Sequence, residues 1–554
     1  MADGRSTNIW LVPIDCMHLR MTEDREKKPE ELTTVNDGEV LKTDIGPRAE
    51  IVDQPSTSKW ELFGYMLYYA GNCGVGPYSY TPTAFQNLVN EGTFDPTKSP
   101  YGKVPCTDST DRCVVRFGGM ERTVSSVVLI SQGIGFVIQT VVFLFLGAFA
   151  DYGSWGPFIL IGFSVLGWGV QFGFLGVHDG SKWMAAFALT VLSSLAYQGA
   201  QSFWTAVFPR LARNLPKVKE KEELLRNGEI SEADYHKTDS YYRNRITNYA
   251  WGVSNLGMIL VHAVAIGILY ALDSRESSQS NTWGISVVIA WATGVWVVFG
   301  VPWFFLEKKR VNQKLPPGQS YLTIGFKQIA YVVKSCLKLK QTGLYIITYW
   351  LLGDGLNTSD NLISIIQNKI VEYDMVTVAE LKILNSGLSV FGMATFWFFQ
   401  RKFKLTTKTM FTINSVFITL LPLYGMIGIW TDKLGIHNKW ELWFYQAYNG
   451  FLITPYYAYS STMMSEVCPR GKEFIFFAIF SVVNKTSSWI GPFITSAIAD
   501  RSNNDYTGFP FILGMCVLSL VVTYFIDQKK SRIECEEFLI SEAERIQAGE
   551  HLDM

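Results

Sequence analysis

Long, mostly apolar runs constrain this chain more than any other feature. Twelve of them, at 61–88, 123–150, 155–177, 182–209, 246–272, 283–305, 343–366, 378–400, 409–430, 440–467, 473–499 and 509–526, are long enough to cross a bilayer, which takes roughly 17 residues or more. Lipid offers the backbone no hydrogen-bond partners, so such runs fold as helices. With 48% hydrophobic and 18% charged residues, the chain is too apolar for an ordinary soluble multidomain protein. The predicted class is an all-α integral membrane protein with twelve transmembrane helices.

Charge sets the expected topology. Basic residues follow the fourth, sixth, eighth and tenth runs: Arg210, Arg213, Lys217 and Lys219; Lys308, Lys309 and Arg310; Arg401, Lys402 and Lys404; Arg470 and Lys472. These loops are expected on the cytosolic side, and both termini with them. The division that results is a disordered cytosolic tail (1–59), a six-helix half (60–306), a cytosolic connector with an amphipathic helix (307–340), a second six-helix half (341–527) and a cytosolic tail (528–554). The net charge of -1 argues against nucleic acid as a partner. Cys106 and Cys113 stand alone in a polar loop on the opposite side, a candidate disulfide if that side is oxidising. No Cys/His cluster points to a metal, and no cofactor is expected.

One run breaks the apolar rule. Between 344 and 366 lie Asp354, Asn357, Thr358, Asp360 and Asn361. Asp354, Asn357, Thr358 and Asn361 fall at i, i+3, i+4 and i+7, so they share a helix face. A charge at membrane depth costs at least about 2.5–3.5 kcal/mol on insertion scales, so these acids must face protein or water. Lys485, deep in the eleventh run, is the expected counter-charge of Asp354. The pair reads either as a fixed tie between two helices or as a pair that opens when solute or a proton competes. Asp360 lies about 9 Å further along the helix. It reads as a second proton-carrying candidate or as a helix-end residue in water. Glu380 and Lys382 fall close to an end of the eighth run.

Other helices carry polar stripes. The first has Tyr65, Tyr68, Tyr69 and Asn72; the second Gln132 and Gln139; the fourth Gln198, Gln201 and Ser202. The fifth has Asn248, Asn255 and His262, and the tenth Gln446, Asn449, Tyr456 and Tyr457. Any one stripe can be interhelical hydrogen bonding, worth about 0.6 kcal/mol on average. Amides and aromatics converging from several helices, with a Lys and one or two Asp, suit a zwitterion or a sugar. The predicted binding set is Tyr68, Asn72, Gln198, Gln201, Asn255, Asp354, Asn357, Asn361, Gln446, Asn449, Tyr456, Asn484 and Lys485.

Several stretches carry a family resemblance. Gly147-Ala-Phe-Ala-Asp151-Tyr-Gly153, between the second and third runs, resembles the gating turn of major facilitator transporters, although Ser154 and Trp155 stand where that turn usually carries basic residues. Glu61-Leu-Phe-Gly-Tyr, Tyr349-Trp-Leu-Leu-Gly-Asp354-Gly-Leu-Asn357-Thr, Pro469-Arg-Gly-Lys-Glu473-Phe-Ile-Phe-Phe and Asn484-Lys485-Thr-Ser-Ser-Trp-Ile-Gly491-Pro492 resemble the fungal autophagy-related vacuolar amino-acid effluxers of that superfamily. The resemblance implies a major facilitator fold and a vacuolar membrane. It also implies export of neutral amino acids of the leucine, isoleucine and tyrosine type to the cytosol after autophagic breakdown, with Asp354, Asn484 and Lys485 at the site. Proton coupling through Asp354 or Asp360 stays open. The partners expected are the solute and the bilayer. The alternatives are a transporter of another small polar solute and a vacuolar scaffold or membrane-turnover factor. No Gly-x-Ser-x-Gly elbow or Walker loop suggests an enzyme.

Overall fold

The apolar runs become helices, and the polar residues within them decide where those helices break. In a computed structural model the chain is mostly helical. The structure describes residues 54–98, 113–151, 155–205, 207–310, 338–403, 405–469 and 490–547, together with 102, 104, 106, 334 and 480. Residues 1–53 of the expected tail (1–59) and the amphipathic piece of the connector lie outside them; the last residues of that tail are ordered instead, with buried Thr57 donating to the Leu211 carbonyl.

In chain order come α1 (Lys59–Gly71), a π-helical turn (Val75–Tyr80), α2 (Thr81–Glu91) and a hairpin of β1 (Val115–Phe117) and β2 (Met120–Arg122). Then follow α3 (Val124–Asp151), α4 (Gly156–Phe172), α5 (Trp183–Thr205), α6 (Phe208–Arg213), α7 (Pro216–Arg226), α8 (Glu232–Ala271) and α9 (Ser278–Leu306). After the connector stand α10 (Lys340–Ile370), α11 (Met375–Phe403), α12 (Thr407–Ile427) and α13 (Lys439–Tyr448). A second π-helical turn (Asn449–Ile453) leads to α14 (Tyr456–Val467), α15 (Ile490–Ser502), α16 (Phe509–Tyr524) and α17 (Gln528–Gln547). Side-chain caps fix several starts: Ser58, Ser231, Ser277 and Thr406 each accept a backbone N–H three residues on, satisfying donors the first turn leaves free.

Six helices among the described residues are long and apolar enough to cross a membrane: Val124–Phe143, Gly156–Gly176, Tyr249–Ala271, Gln279–Leu306, Thr407–Ile427 and Asp505–Tyr524. Several of the other expected spans are interrupted or polar. Those at 61–88 and 440–467 are split by the π-helical turns, and that at 473–499 is described from 490 onward, apart from residue 480. Gly74 makes the first break possible. Its φ is +82°, and a Cβ there would lie 2.7 Å from the Tyr197 hydroxyl, so only glycine fits. The fifth expected span begins earlier than its apolar run, because the polar stretch from Glu232 continues the same helix.

The helices pack in two groups, before and after the connector. In the first, α1 lies against α8 and α9, and α4 against α5. Trp204 is its centre: Tyr65 and Tyr68 stack on it at 4.2 and 4.1 Å, and Trp303 meets it edge-on at 4.9 Å. Such ring pairs contribute about 0.5–1.5 kcal/mol each beyond burial. In the second group, α16 packs on α10 and α12, and α11 on the second π-helical turn. The groups meet through α8 with α11 and α3 with α15.

The two ends of the bundle differ. At the end bearing β1–β2 and the α10–α11 turn, polar contacts join the groups. Arg275 binds Asp374 at 2.6 Å and Arg122 binds Asp500 at 2.7 Å. The Asn281 side chain donates to the Tyr373 carbonyl. At the other end, the contacts among the described residues run within each group. Buried Glu61 takes both Arg310 nitrogens, at 2.6 and 2.9 Å, while Gln341 and its neighbours hold the start of α17.

Candidate functional site

A side chain that lies among the helices yet stays exposed borders an open space. Tyr78, in the first π-helical turn, is 56% exposed although its ring meets Tyr197 edge-on at 5.1 Å. Tyr457, beyond the second π-helical turn, is 48% exposed and lies within electrostatic reach of Tyr78, Tyr349 and Asp360. The two tyrosines come from opposite helix groups, so the space between them lies between the groups. Each follows a π-helical turn or forms part of one. Such turns are rare and recur at functional sites.

Asp360 borders the same space. It is half-buried, and its Oδ1 accepts from the Tyr445 hydroxyl at 2.9 Å and from Asn449 Nδ2 at 3.3 Å. Asn449 in turn accepts from Asn385 Nδ2 at 3.1 Å, and Asn385 also donates to the Gln446 carbonyl. Lys382, one turn before Asn385 on α11, acts electrostatically on Asp360. Four helical segments thus converge: α10, α11, α13 and the second π-helical turn. The sequence reading puts Lys382 close to an end of the eighth run, and the structure starts that helix earlier. Lys382 lies two turns inside α11. Lys382, Asn385, Ser386 and Ser389 follow the same i, i+3, i+4, i+7 rule that marks Asp354, and that stripe is the signal that finds them.

Asp354 has a different setting. It is fully buried, and it accepts from the Gly491 backbone N–H at 3.2 Å and from the Thr358 hydroxyl at 3.4 Å. α15 approaches so closely that a Cβ on Gly491 would lie 1.9 Å from Thr358 Oγ1. Asp354 therefore joins α10 to α15. Asn484 and Lys485, the latter its expected counter-charge, lie outside the described residues.

The remaining predicted residues divide. Tyr68 is fully buried in the first group's core, stacked on Trp204 and bonded to Ser164 at 2.8 Å. Its ring and hydroxyl are both satisfied there, so it belongs to the core. Tyr456 is buried as well, against Tyr349 and Phe411. Asn72 is buried and donates to Gln201 at 3.4 Å, while its Oδ1 has no partner among the described residues. It borders a small pocket with Thr293 and Trp296. Gln198 is buried, and Asn357 and Asn361 are half-buried. Asn255 donates to the Trp251 carbonyl of its own helix. Buried Gln446 donates to Gln367 at 2.8 Å. Gly147 and Asp151 close α3, and Gly153 lies outside the described residues. Cys106 and Cys113 form a disulfide.

Below this space, toward the joined end, amides seal the groups together. Asn368 donates to Gln86 at 2.9 Å, Gln86 to the Ile365 carbonyl at 3.0 Å, and Thr83 to Asn368 at 3.2 Å. Asp500 does the same for α3 and α15. Its Oδ2 takes Arg122 and Ser126, both at 2.7 Å, and its Oδ1 takes the Thr123 N–H at 3.2 Å. These bonds cap the start of α3 from a helix of the other group, a favourable setting for a carboxylate.

Solved transporters share this architecture. The nucleoside transporter NupG aligns over 84% of this chain and 99% of its own, with a TM-score of 0.53 at 13% identity. A peptide transporter POT aligns over 86% and 97%, at 0.53 and 11%. A D-xylose-proton symporter aligns over 85% and 99%, at 0.52 and 14%. The fold is that of a major facilitator transporter. The family described as "Vacuole effluxer Atg22 like" matches residues 57–536, and this chain belongs to it. Autophagy-related protein 22 of Pyricularia oryzae is 22% identical over 88% of this chain and 78% of its own. That of Pichia angusta is 23% identical over 82% and 89%. The chain is a multi-pass vacuolar membrane protein of the transporter class, tied to autophagy.

Proposed function

We propose that the protein exports neutral amino acids, of the leucine, isoleucine and tyrosine type, from the vacuole to the cytosol by alternating access. In this reading twelve spans form two six-helix halves, 60–306 and 341–527, with both termini and the connector cytosolic. The observation that carries it is the half-buried acid Asp360, held by Tyr445 and Asn449 beside the space between the groups, with Tyr78 and Tyr457 exposed into that space. The Cys106–Cys113 disulfide supports a lumenal assignment for the joined end, since disulfides persist in oxidising compartments. The form described is then closed to the lumen and open to the cytosol.

Of the two proton-coupling candidates, Asp360 is the better one, because Asp354 is sealed between α10 and α15. The test is flux of radiolabelled leucine in sealed vesicles containing the purified protein, with and without an imposed pH gradient. Uptake above empty vesicles is expected, competed by isoleucine and tyrosine and not by glucose. Flux of none of the three amino acids would refute the reading and favour another solute or a scaffold.

A further inference from the structure

Asp360 and Lys382 are opposite charges within electrostatic reach of each other, yet they form no ion pair. Each keeps bonding capacity in reserve. Asp360 Oδ1 is occupied by Tyr445 and Asn449, while Oδ2 takes no bond among the described residues. The Lys382 ammonium likewise has no hydrogen-bond partner there, and both side chains are half-buried rather than sealed. An ammonium carries three donors, and leaving it bare at membrane depth is unfavourable.

The surroundings explain why the pair does not close. Tyr445 and Asn449 fix the carboxylate toward α13. Asn385, one turn beyond Lys382, is tied to Asn449 and to the Gln446 carbonyl, which sets the distance between α11 and α13. Lys382 also acts electrostatically on His262 of α8, in the other helix group, so it sits where the groups meet.

We infer that Asp360 and Lys382 read the two ends of a zwitterion, Asp360 taking the α-ammonium and Lys382 the α-carboxylate of one amino acid. The inference rests on the amino-acid reading above and assigns its headgroup contacts. In an α-amino acid the nitrogen and the carboxyl carbon are only about 2.5 Å apart, from standard bond lengths and angles. A bound zwitterion turns one long charge interaction into two short, charge-assisted ones. A molecule bearing only one of the two charges leaves the other protein group unanswered. The exposed faces of Tyr78 and Tyr457 offer aromatic walls for the side chain, which selects an apolar or aromatic one.

The test measures binding to the purified full-length protein by isothermal titration, with leucine, leucine methyl ester and N-acetylleucine as probes. Wild type should bind both analogues at least tenfold more weakly than leucine. D360N should bind leucine at least tenfold more weakly and lose its preference for leucine over N-acetylleucine, while still disfavouring the methyl ester. K382Q should show the converse, and K382R should keep the wild-type pattern. Variants that lose leucine but keep both preferences, or that bind it unchanged, overturn the assignment while leaving amino-acid transport intact. No leucine binding by wild type overturns both. Should the variants fail to fold, wild type still decides: an analogue bound as tightly as leucine refutes the assignment.

Discussion

Replacing Asp500 with asparagine should loosen the closed end of the bundle. Asp500 receives Arg122, Ser126 and the Thr123 backbone N–H, all at the start of α3. Asparagine keeps one oxygen, so part of the neutral bonding survives. The charge-assisted contact with Arg122 is worth about 1.5–3 kcal/mol, and a negative charge at a helix start about 0.3–1 kcal/mol. The side chains of Arg122 and Asp500 are 24% and 19% exposed, so solvent screening leaves most of this. A loss of about 2 kcal/mol shifts the equilibrium about 30-fold. From a starting ratio of about 100:1, the form open at this end rises to about a quarter of the population. Spin labels at Met120 and Trp430, both exposed and in opposite helix groups, report it as a longer distance by pulsed electron resonance. Among the described residues the free cysteines Cys73, Cys468, Cys516 and Cys535 are buried; Cys16 and Cys336, which lie outside them, are replaced by serine before labelling. R122Q should act alike, and the double variant should add little to either single change. Unchanged distances in both single variants, or fully additive shifts, would refute the latch.

Three further outcomes follow from charges at the two ends of the bundle. Burial alone would raise the Asp374 carboxyl, but the Arg275 and Thr377 bonds outweigh it and hold it below the usual range. The contribution of that clamp is therefore present above the ordinary carboxylate value and lost as pH falls through the depressed one. The same spin-label distances should stay short at pH 5 and lengthen only below about pH 4. At the opposite end, burial pushes Glu307 up to about 7. Its native form holds a proton that the unfolded chain has released, so it weakens the fold as pH rises from the ordinary glutamate range through 7. Wild type should lose more melting temperature than E307Q between pH 5 and pH 8, as read by intrinsic fluorescence; equal losses would count against it. E61A leaves Arg310, whose side chain is 4% exposed, without its carboxylate. Breaking a buried pair costs about 3–5 kcal/mol, which should appear as a large fall in melting temperature, partly restored in E61A/R310L.

The helical character and six of the expected spans were legible because length and apolarity identify a span without any tertiary knowledge. The α10 stripe was legible for the same reason: a carboxylate in an apolar run is conspicuous. The π-helical turns were not. Gly74 and the polar residues near Asn449 hint at breaks, but the turn itself depends on close approach by Tyr197 and by α11. The placement of Tyr68 failed for a related reason. Helical spacing groups residues on a face without saying which neighbour that face meets. Tyr68 met Trp204 and Ser164.

The two acids of α10 show how far one helix can divide its labour. Asp360 is six residues beyond Asp354, which at 3.6 residues per turn puts it about 1.7 turns further along and about 120° round the helix. The two carboxylates therefore cannot serve one partner. Asp354 turns to α15 and is answered by a backbone N–H, a bond that geometry alone maintains. Asp360 turns to α13 and the space between the groups, where Tyr445 and Asn449 satisfy only one of its oxygens. A sealed, answered acid holds helices together; an acid whose second oxygen, like the ammonium near it, has no bond among the described residues is suited to a ligand. Sequence spacing favoured Asp354 because its neighbours at i+3, i+4 and i+7 are polar. The same stripe has a plainer explanation, a helix face that must meet another helix at Gly491 with Thr358 in contact. In the proposed reading the solute site belongs to the other face of α10, the one that looks across to Lys382.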